Sequence, residues 1–311
     1  VGSRLEPRPP QQRRLADAIA GTDAAPDASE QPLHDRERLA LDVALSASSN
    51  ERLKRMDFES MSAEEYRAAE RLAERLPVLV EPVATRRQAA AARGELDLRG
   101  VLRRSARDPY GALPPRRRRR ERLPPLVVLC DVSGSMQRYS RMFLHWAHAL
   151  RVHHPAIETL TLGTRLTRIT RALALRDPDA AMKAAGDEVS DWAGGTRLGE
   201  CLRDFNRHWA RRLLNARAEV LLLTDGLERD DVSLLSVQAR RLRSFAARLI
   251  WLNPLLRFDG FEPRAAGIQA LLPHVDEFLP AHNLNSLADL ARRLADAQRD
   301  RRNPMERHRW K

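Results

Sequence analysis

One short stretch carries three oxygen-bearing side chains, each two residues from the next. Asp131, Ser133 and Ser135 follow directly after the apolar run 126–130. One carboxylate and two hydroxyls on a tight turn offer only oxygen ligands, which hard divalent cations such as Mg²⁺ prefer. The same serines could instead cap the helix that follows, and this stretch alone leaves both interpretations open.

Two nucleophilic interpretations of the stretch lack the residues they need. A catalytic serine on a strand-to-helix elbow needs a Gly-x-Ser-x-Gly frame, which neither serine has. A phosphatase with an aspartyl nucleophile usually carries a second aspartate two residues after the first, and Ser133 stands at that position. The sequence therefore favours a metal ligand or a helix cap over a nucleophile.

Two downstream stretches add further oxygen donors. Thr196 follows Gly194 and Gly195, directly before a helical pattern. Asp225 follows the apolar run 220–223 and precedes Gly226. Each stretch is weak alone, but the three together favour a divalent-cation site formed by Asp131, Ser133, Ser135, Thr196 and Asp225.

Strand and helix patterns alternate from residue 125 onward. They predict strands at 126–131, 157–163, 219–224, 248–252 and 275–279, and helices at 137–153, 178–185, 197–214, 231–244 and 284–294. We predict that the stretch 165–170 forms an antiparallel hairpin with 157–163. We predict an α/β fold with a doubly wound, mostly parallel sheet and one antiparallel edge strand, preceded by a helical N-terminal region. Ligands bind at the carboxyl ends of the strands in such sheets.

The five donors resemble the metal-ion-dependent adhesion site of von Willebrand factor A (VWA) domains, and all five positions match. The resemblance implies that the serines and the threonine bind Mg²⁺, or another divalent cation such as Mn²⁺, directly or through water. The aspartates would lie close to the cation and often act through water. A carboxylate from a partner protein would complete the metal shell, so the resemblance implies a metal-gated protein-binding surface without catalysis.

A closer resemblance is to the CoxE-like VWA family, over residues 48 to 295. The motifs that carry it include Ser49-Asn50-Glu51-Arg52-Leu53, Asp131-Val132-Ser133-Gly134-Ser135-Met136, Asp191-Trp192-Ala193-Gly194-Gly195-Thr196-Arg197 and Trp251-Leu252-Asn253-Pro254-Leu255. Members of this family are accessory proteins of molybdenum hydroxylases of the carbon monoxide dehydrogenase type. The resemblance implies work with a MoxR-type AAA+ ATPase in completing the active-site metal centre of such a client enzyme.

Residues around the predicted cation are candidates for partner contact. We expect this role for Gly134, Met136, Trp192, Gly195 and Gly226. We predict no catalytic residues. A metal-dependent hydrolase using the same ligands is the alternative, and its general base would come from Asp191, Glu200, Glu228 or Asp230.

The charge of the chain is strongly positive, at +12 over 311 residues. Arginine accounts for almost all of the basic residues, and five are consecutive: Arg116, Arg117, Arg118, Arg119 and Arg120. This run could bind a polyanion, but an exposed basic edge or linker is the interpretation we favour, because charge blocks are usually solvated. Aromatic residues do not interleave with the arginines, so nucleic acid is not an expected partner.

The sequence also predicts how the chain divides into segments. We expect a partly disordered or helical segment at 1–47, a helical basic region with an arginine-rich linker at 48–123, the VWA-like domain at 124–297 and a charged tail at 298–311. The histidines at 145, 148, 153 and 154 lack the further ligands of a zinc site and are expected to be packed or solvated. Two cysteines, no apparent signal peptide and no long apolar run favour the cytoplasm.

Overall fold

The computed structural model describes residues 49–76, 82–107, 114–189, 192, 195–228, 231–258 and 260–302. The predicted segment 1–47 and the last residues of the predicted tail therefore lie outside the described residues. The chain divides into two compact units, Val1–Arg52 and Leu53–Lys311. The fold presented below is that of the second unit. In the part of the chain that the structure describes, no helix is long and apolar enough to cross a membrane.

Two helices in the N-terminal part of this unit begin at side-chain caps. Helix α1 spans Ala63–Ala73 and begins at a capping box, in which Ser62 and Glu65 each bind the other's backbone N–H. Helix α2 spans Leu98–Ser105 and begins after Asp97, whose carboxylate accepts a hydrogen bond from Gly100 N at 3.0 Å. Both helices thus start where a side chain satisfies a free backbone donor.

The same part contains a small sheet that the sequence did not predict. Strands β1 (Val83–Ala91), β2 (Glu95–Leu96) and β3 (Arg116–Arg122) form an antiparallel sheet in the order β1-β3-β2. The run at Arg116–Arg120 is largely exposed, as expected, but the expectation of a linker was wrong, because the run is the central strand of this sheet. Most of β3 is exposed, so the strand lacks the apolar alternation from which a half-buried strand is recognised.

The main sheet has six strands and the predicted topology. Its order is β6-β5-β4-β7-β8-β9, and every neighbouring pair is parallel except β5 and β6. The strands are β4 (Leu126–Asp131), β5 (Ile157–Leu162), β6 (Leu166–Arg168), β7 (Glu219–Leu223), β8 (Arg248–Asn253) and β9 (Glu277–Pro280). This order confirms the doubly wound, mostly parallel sheet and its antiparallel edge strand.

Helices connect these strands. They are α3 (Gln137–His153), α4 (Pro178–Glu188), α5 (Leu198–His208), α6 (Ala210–Leu213), α7 (Val232–Phe245), α8 (Ala266–Leu271) and α9 (Leu284–Arg302). Several differ from the sequence prediction. Helix α8 lies where no helix was predicted, and α4 continues from the predicted end at 185 to Glu188. The helix expected at 197–214 is interrupted at Trp209, where α5 ends and α6 begins. The final helix continues beyond residue 294 to Arg302.

Two hydrophobic cores cover the two faces of the main sheet. Alternate residues of β4 enter different cores: Val128 and Cys130 pack on the α3 side, and Val127 and Leu129 pack on the α5 and α7 side. A strand that is buried on both faces has a continuous apolar sequence, as β4 does. β4 pairs with β5 on one side and with β7 on the other, so its carboxyl end lies at the switch point of the sheet.

Candidate metal centre

Asp131 is the last residue of β4, and its buried carboxylate is held by three donors. Oδ1 accepts hydrogen bonds from Ser133 N at 2.9 Å and from Thr196 Oγ1 at 2.7 Å. Oδ2 accepts one from Thr224 Oγ1 at 2.7 Å. These contacts join the β4 turn, the segment before α5 and the end of β7. The carboxylate therefore has a defined orientation at the switch point.

Ser135 of the turn contacts the second carboxylate, and Ser133 lies beside Ser135. Ser135 Oγ donates a hydrogen bond to Asp225 Oδ2 at 2.7 Å, and the two serine Oγ atoms are 3.3 Å apart. Residues Gly134–Met136 form a single 3-10 turn, which places the side chains of Ser133 and Ser135 side by side. The structure thus brings together all five predicted ligands, which are separated by up to 94 positions in the sequence.

Asp225 is oriented by the turn that follows β7. Its Oδ1 accepts a hydrogen bond from Leu227 N at 3.0 Å, and its backbone carbonyl accepts one from Asn253 Nδ2 at 3.0 Å. Gly226 adopts φ +77°, a left-handed conformation in which a side chain is disfavoured. This backbone reversal directs the Asp225 carboxylate towards the serines.

Two supporting residues were not among those predicted for the site. Thr224 bonds Asp131 through its hydroxyl and accepts a hydrogen bond from Gly226 N at 3.1 Å. Asn253 holds the Asp225 carbonyl from the end of β8. The sequence signal for both is weak: a threonine lies directly before the predicted ligand Asp225, and an asparagine lies within the Trp251–Leu255 motif.

The electrostatics of the site favour a bound cation. Burial raises the pKa of Asp131 and the nearby negative charge of Asp225 raises it further, while hydrogen bonds from Thr196, Ser133 N and Thr224 oppose the rise. Among the described residues, no ion pair engages either carboxylate. Two neighbouring carboxylates without a basic partner repel each other, and a divalent cation would remove that repulsion.

The donor set fits a hard cation. It consists of two carboxylates and three hydroxyls, and oxygen ligands of this kind suit Mg²⁺ and Mn²⁺ better than zinc. Within the described part of the chain, no group of three or more His, Cys, Asp or Glu side chains is placed to hold a metal. The acids are buried, whereas Ser135 is exposed and Ser133 and Thr196 are partly exposed. The hydroxyls therefore lie on the solvent side.

Some of the residues expected to contact a partner are exposed, and others are buried. Gly134 and Gly195 are exposed, and Trp192 packs partly against the core. Met136 is 0% exposed, so the expectation that it contacts a partner was wrong: its side chain anchors the turn in the hydrophobic core. Gly226 is also buried, and a Cβ there would lie 2.7 Å from the Trp251 ring, so its role is conformational.

The histidines, acids and arginines considered as other site candidates either lie away from this centre or contact other residues. His148 Nε2 is 2.8 Å from the Leu175 carbonyl oxygen, and His145 Nε2 lies 3.2 Å from Glu70 Oε1. Glu228 accepts a hydrogen bond from Gly199 N at 2.9 Å, and Glu200 pairs with two arginines. Asp191 and Asp230 lie outside the described residues. The arginines at 116–120 belong to the small sheet and contribute nothing to this centre.

The comparison with protein families finds one match. A family model described as "VWA domain containing CoxE-like protein" matches residues 68–287, well over half of the chain. This range contains all five predicted metal ligands, the whole small sheet and all six strands of the main sheet. No curated protein matches the chain.

Several solved structures align with part of the chain. Proximal thread matrix protein 1 from the mussel byssus aligns with TM-score 0.40 and 16% identity, over 56% of this chain and 47% of that protein. A further structure of that protein, with a zinc-occupied MIDAS motif, aligns with TM-score 0.39 and 16% identity over the same shares. An aerotolerance-related membrane protein from Bacteroides fragilis aligns with TM-score 0.37 and 12% identity, over 56% of this chain and 99% of that protein. The chain thus spans about half of the mussel protein, and likeness at this level says nothing about function.

Proposed function

The chain belongs to the family of CoxE-like proteins that contain a VWA domain, and from that premise we propose that it is a metal-dependent protein-binding adaptor. Ser133, Ser135 and Thr196 would bind the divalent cation through their hydroxyls. Asp131 and Asp225 would balance its charge and orient the hydroxyls. When bound, the cation supplies a Lewis-acidic position for a carboxylate of the partner protein.

A single observation carries this proposal: five oxygen donors from three separate segments converge at the switch point of the sheet. Thr196 Oγ1 lies 2.7 Å from Asp131, and Ser135 Oγ lies 2.7 Å from Asp225. A simple helix cap would require only one of the serines. Neither serine side chain caps the 3-10 turn or α3, which argues against the capping interpretation of Ser133 and Ser135.

The partners that we propose follow from the family. A MoxR-type AAA+ ATPase and a molybdenum hydroxylase of the carbon monoxide dehydrogenase type would be the binding proteins. An acidic side chain from one of them would complete the metal shell, and the adaptor would act during completion of the client's active site. A cytoplasmic location is part of the same proposal.

The structure favours Ser135→Ala and Thr196→Val as test variants. Asp131 accepts three hydrogen bonds while buried, so its removal would disturb the fold as well as the site. Ser135 is exposed and Thr196 is partly exposed, and each loses only one hydroxyl. Ser244→Ala, which removes an exposed hydroxyl from the end of α7, is the matched control.

The decisive experiment has two readouts. Isothermal titration with Mg²⁺ measures the site, and a pull-down with the purified ATPase and client, with Mg²⁺ or EDTA, measures the adaptor role. We expect the Ser135 and Thr196 variants each to lose at least about tenfold in metal affinity and to lose Mg²⁺-dependent capture. Capture that is equal in Mg²⁺, in EDTA and with both variants would refute a metal-gated adaptor. Mg²⁺-dependent hydrolysis of p-nitrophenyl phosphate by the wild type, lost in both variants, would favour the hydrolase alternative instead.

A further inference from the structure

Most of the positive charge of the chain is concentrated on the small sheet and α2. Residues 82–107 and 114–122, which form this part, contain 13 arginines and three acidic residues. Their net charge is +10, against +12 for all 311 residues. We call this part the basic surface. A charge density of this kind attracts an anionic partner.

The arginines of β3 are not covered by the strand beside them. In the antiparallel register, Arg116 lies opposite Ala91 and Arg118 lies opposite Ala89. Cross-strand neighbours share a face of the sheet, and cationic residues are usually stabilised there by an acidic neighbour. Alanine is too short to cover a guanidinium group and has no charge to offer. This face of the sheet therefore presents arginines to the solvent.

Few arginines of the basic surface form ion pairs with acidic residues of the same surface. Arg117 Nε lies 2.5 Å from Asp97 Oδ2, and Arg118 Nη2 lies 3.0 Å from Glu121 Oε1. Arg119, Arg120 and Arg122 are exposed and make no ion pair within the described ranges. Arginine forms paired hydrogen bonds with phosphate groups, which distinguishes such a surface from one of lysines.

Exposed leucines lie within the same part of the molecule. Leu98 and Leu102, on one side of α2, are 70% and 72% exposed, and Leu96 of β2 is 51% exposed. Leu96 lies opposite Arg116 in the register, so it shares the face that carries the uncovered arginines. Large apolar side chains among arginines are typical of a surface that contacts both phosphate groups and acyl chains.

We propose that the basic surface binds anionic phospholipid bilayers peripherally. The arginines would bind the lipid phosphates, and Leu96, Leu98 and Leu102 would enter the boundary between headgroups and acyl chains. Nucleic acid fits less well, because a phosphate backbone leaves exposed leucines without a partner. Moreover, residues 82–107 and 114–122 contain no aromatic residue on which bases could stack.

The position of the basic surface separates it from the metal centre. A cleft of about 890 Å³ lies between the small sheet and the amino ends of the main strands, with Arg87 and Arg122 on one side and Pro125, Pro155 and Arg217 on the other. Arg217 Nη1 donates a hydrogen bond to the Ala84 carbonyl at 2.8 Å. The metal centre lies at the carboxyl ends of the same strands. A bilayer at one end would leave the metal centre accessible at the other.

Vesicle flotation with the full chain tests the proposal. Vesicles of phosphatidylcholine alone are compared with vesicles of equal parts phosphatidylcholine and phosphatidylglycerol. We expect binding to the anionic vesicles only. Because each arginine near an anionic surface contributes about fivefold in affinity, Arg118→Glu with Arg120→Glu should weaken binding by at least about 25-fold. The matched control, Arg207→Glu with Arg211→Glu, makes the same charge change on exposed residues of α5 and α6.

A second variant separates a bilayer from other polyanions. Leu98→Ser with Leu102→Ser leaves the charge unchanged and should weaken vesicle binding by about tenfold. Circular dichroism melting checks that each variant is folded. EDTA should leave vesicle binding unchanged, so this result is independent of the adaptor proposal. Equal binding to neutral and anionic vesicles, no binding to either, or wild-type binding by the leucine variant would each overturn the proposal.

Discussion

At the scale of single residues, the candidate metal centre depends on side chains whose hydrogen bonds cross between strands. Thr224 is an example: its hydroxyl donates to Asp131 Oδ2 and accepts from Gly226 N, so it links the ends of β4 and β7. Trp251 adds a hydrogen bond from its indole N–H to the Thr224 carbonyl at 2.9 Å. The ligands are thus held by neighbours that would not themselves touch a cation, as is usual for metal sites.

Gly226 offers a residue-scale prediction. Gly226→Ala should destabilise the protein by at least about 2 kcal/mol, because φ is +77° and the new Cβ would lie 2.7 Å from Trp251 Cζ2. Gly186→Ala is the control: no atom lies within 4 Å of its added Cβ, and it lies inside helix α4. That change should stabilise the protein by about 0.5–1 kcal/mol. Urea unfolding measures the change in the free energy of unfolding for both variants. Equal changes would contradict the role of Gly226 in the turn.

At the scale of elements, residues 53–73 are packed against α3 by specific polar contacts. Tyr66 OH donates to the Arg138 carbonyl at 2.6 Å, and Arg141 Nε lies 3.1 Å from Glu70 Oε1. Burial by itself would raise the pKa of Glu70, but the neighbouring His145 ring and Arg141 guanidinium outweigh it, so the pKa is lowered. α3 follows the turn with Ser133 and Ser135 directly, so this packing holds the helix that begins at the candidate metal centre.

Arg138 is the element-scale test of this packing. Its Nη1 donates to three carbonyl oxygens of one loop, those of Phe58, Glu59 and Met61, at 3.2, 2.8 and 2.7 Å. Arg138→Ala should cost about 1–2 kcal/mol and expose the loop at 57–62 to proteolysis, because three carbonyls lose a charged donor. Gln137→Ala, on an exposed neighbour, is the control. Proteolysis at the wild-type rate would show that the loop is held by other contacts.

At the scale of the whole molecule, the main sheet separates two surfaces with different chemistry. The carboxyl ends of β4 and β7 carry the acidic candidate metal centre, and the basic small sheet lies beside the amino ends of the same strands. The β4 strand of six residues spans about 20 Å. Opposite charges at opposite ends suit a protein that binds one partner at each end.

Buried His154 should make the stability of the whole molecule depend on pH. The residue follows α3 and is 1% exposed. Burial lowers its pKa, and the nearby carbonyls of His154 and Pro124 oppose this only in part. Above the unfolded-state pKa of about 6.5 the contribution to stability is complete, and it is lost as the pH falls below that value because the unfolded chain takes up the proton more readily.

Replacement of His154 provides the measurement. His154→Leu should flatten the loss of stability between neutral and mildly acidic pH, by up to about 1.4 kcal/mol per pH unit. The free energy of unfolding in urea is measured across this range for wild type and variant, with His153→Leu, on an exposed neighbour, as the control. If the His154 variant keeps the wild-type slope, other groups cause the acid sensitivity.

The sequence by itself determined the candidate metal ligands and the main sheet. Asp131, Ser133, Ser135, Thr196 and Asp225 were found because each follows an apolar run or precedes a helical pattern, and these are local signals. The parallel sheet and its antiparallel edge followed from the alternation of strands and helices. Both kinds of signal depend on spacing within about twenty residues.

Only the tertiary structure decided which residues support those donors and how the basic region folds. Thr224 and Asn253 act through hydrogen bonds to Asp131 and Asp225, and Met136 is buried by a core drawn from distant helices. The arginine run became a strand because β1 and β2 pair with it, although like charges and exposure on both faces hide any strand pattern. Such pairings are set by long-range packing, which local spacing does not encode.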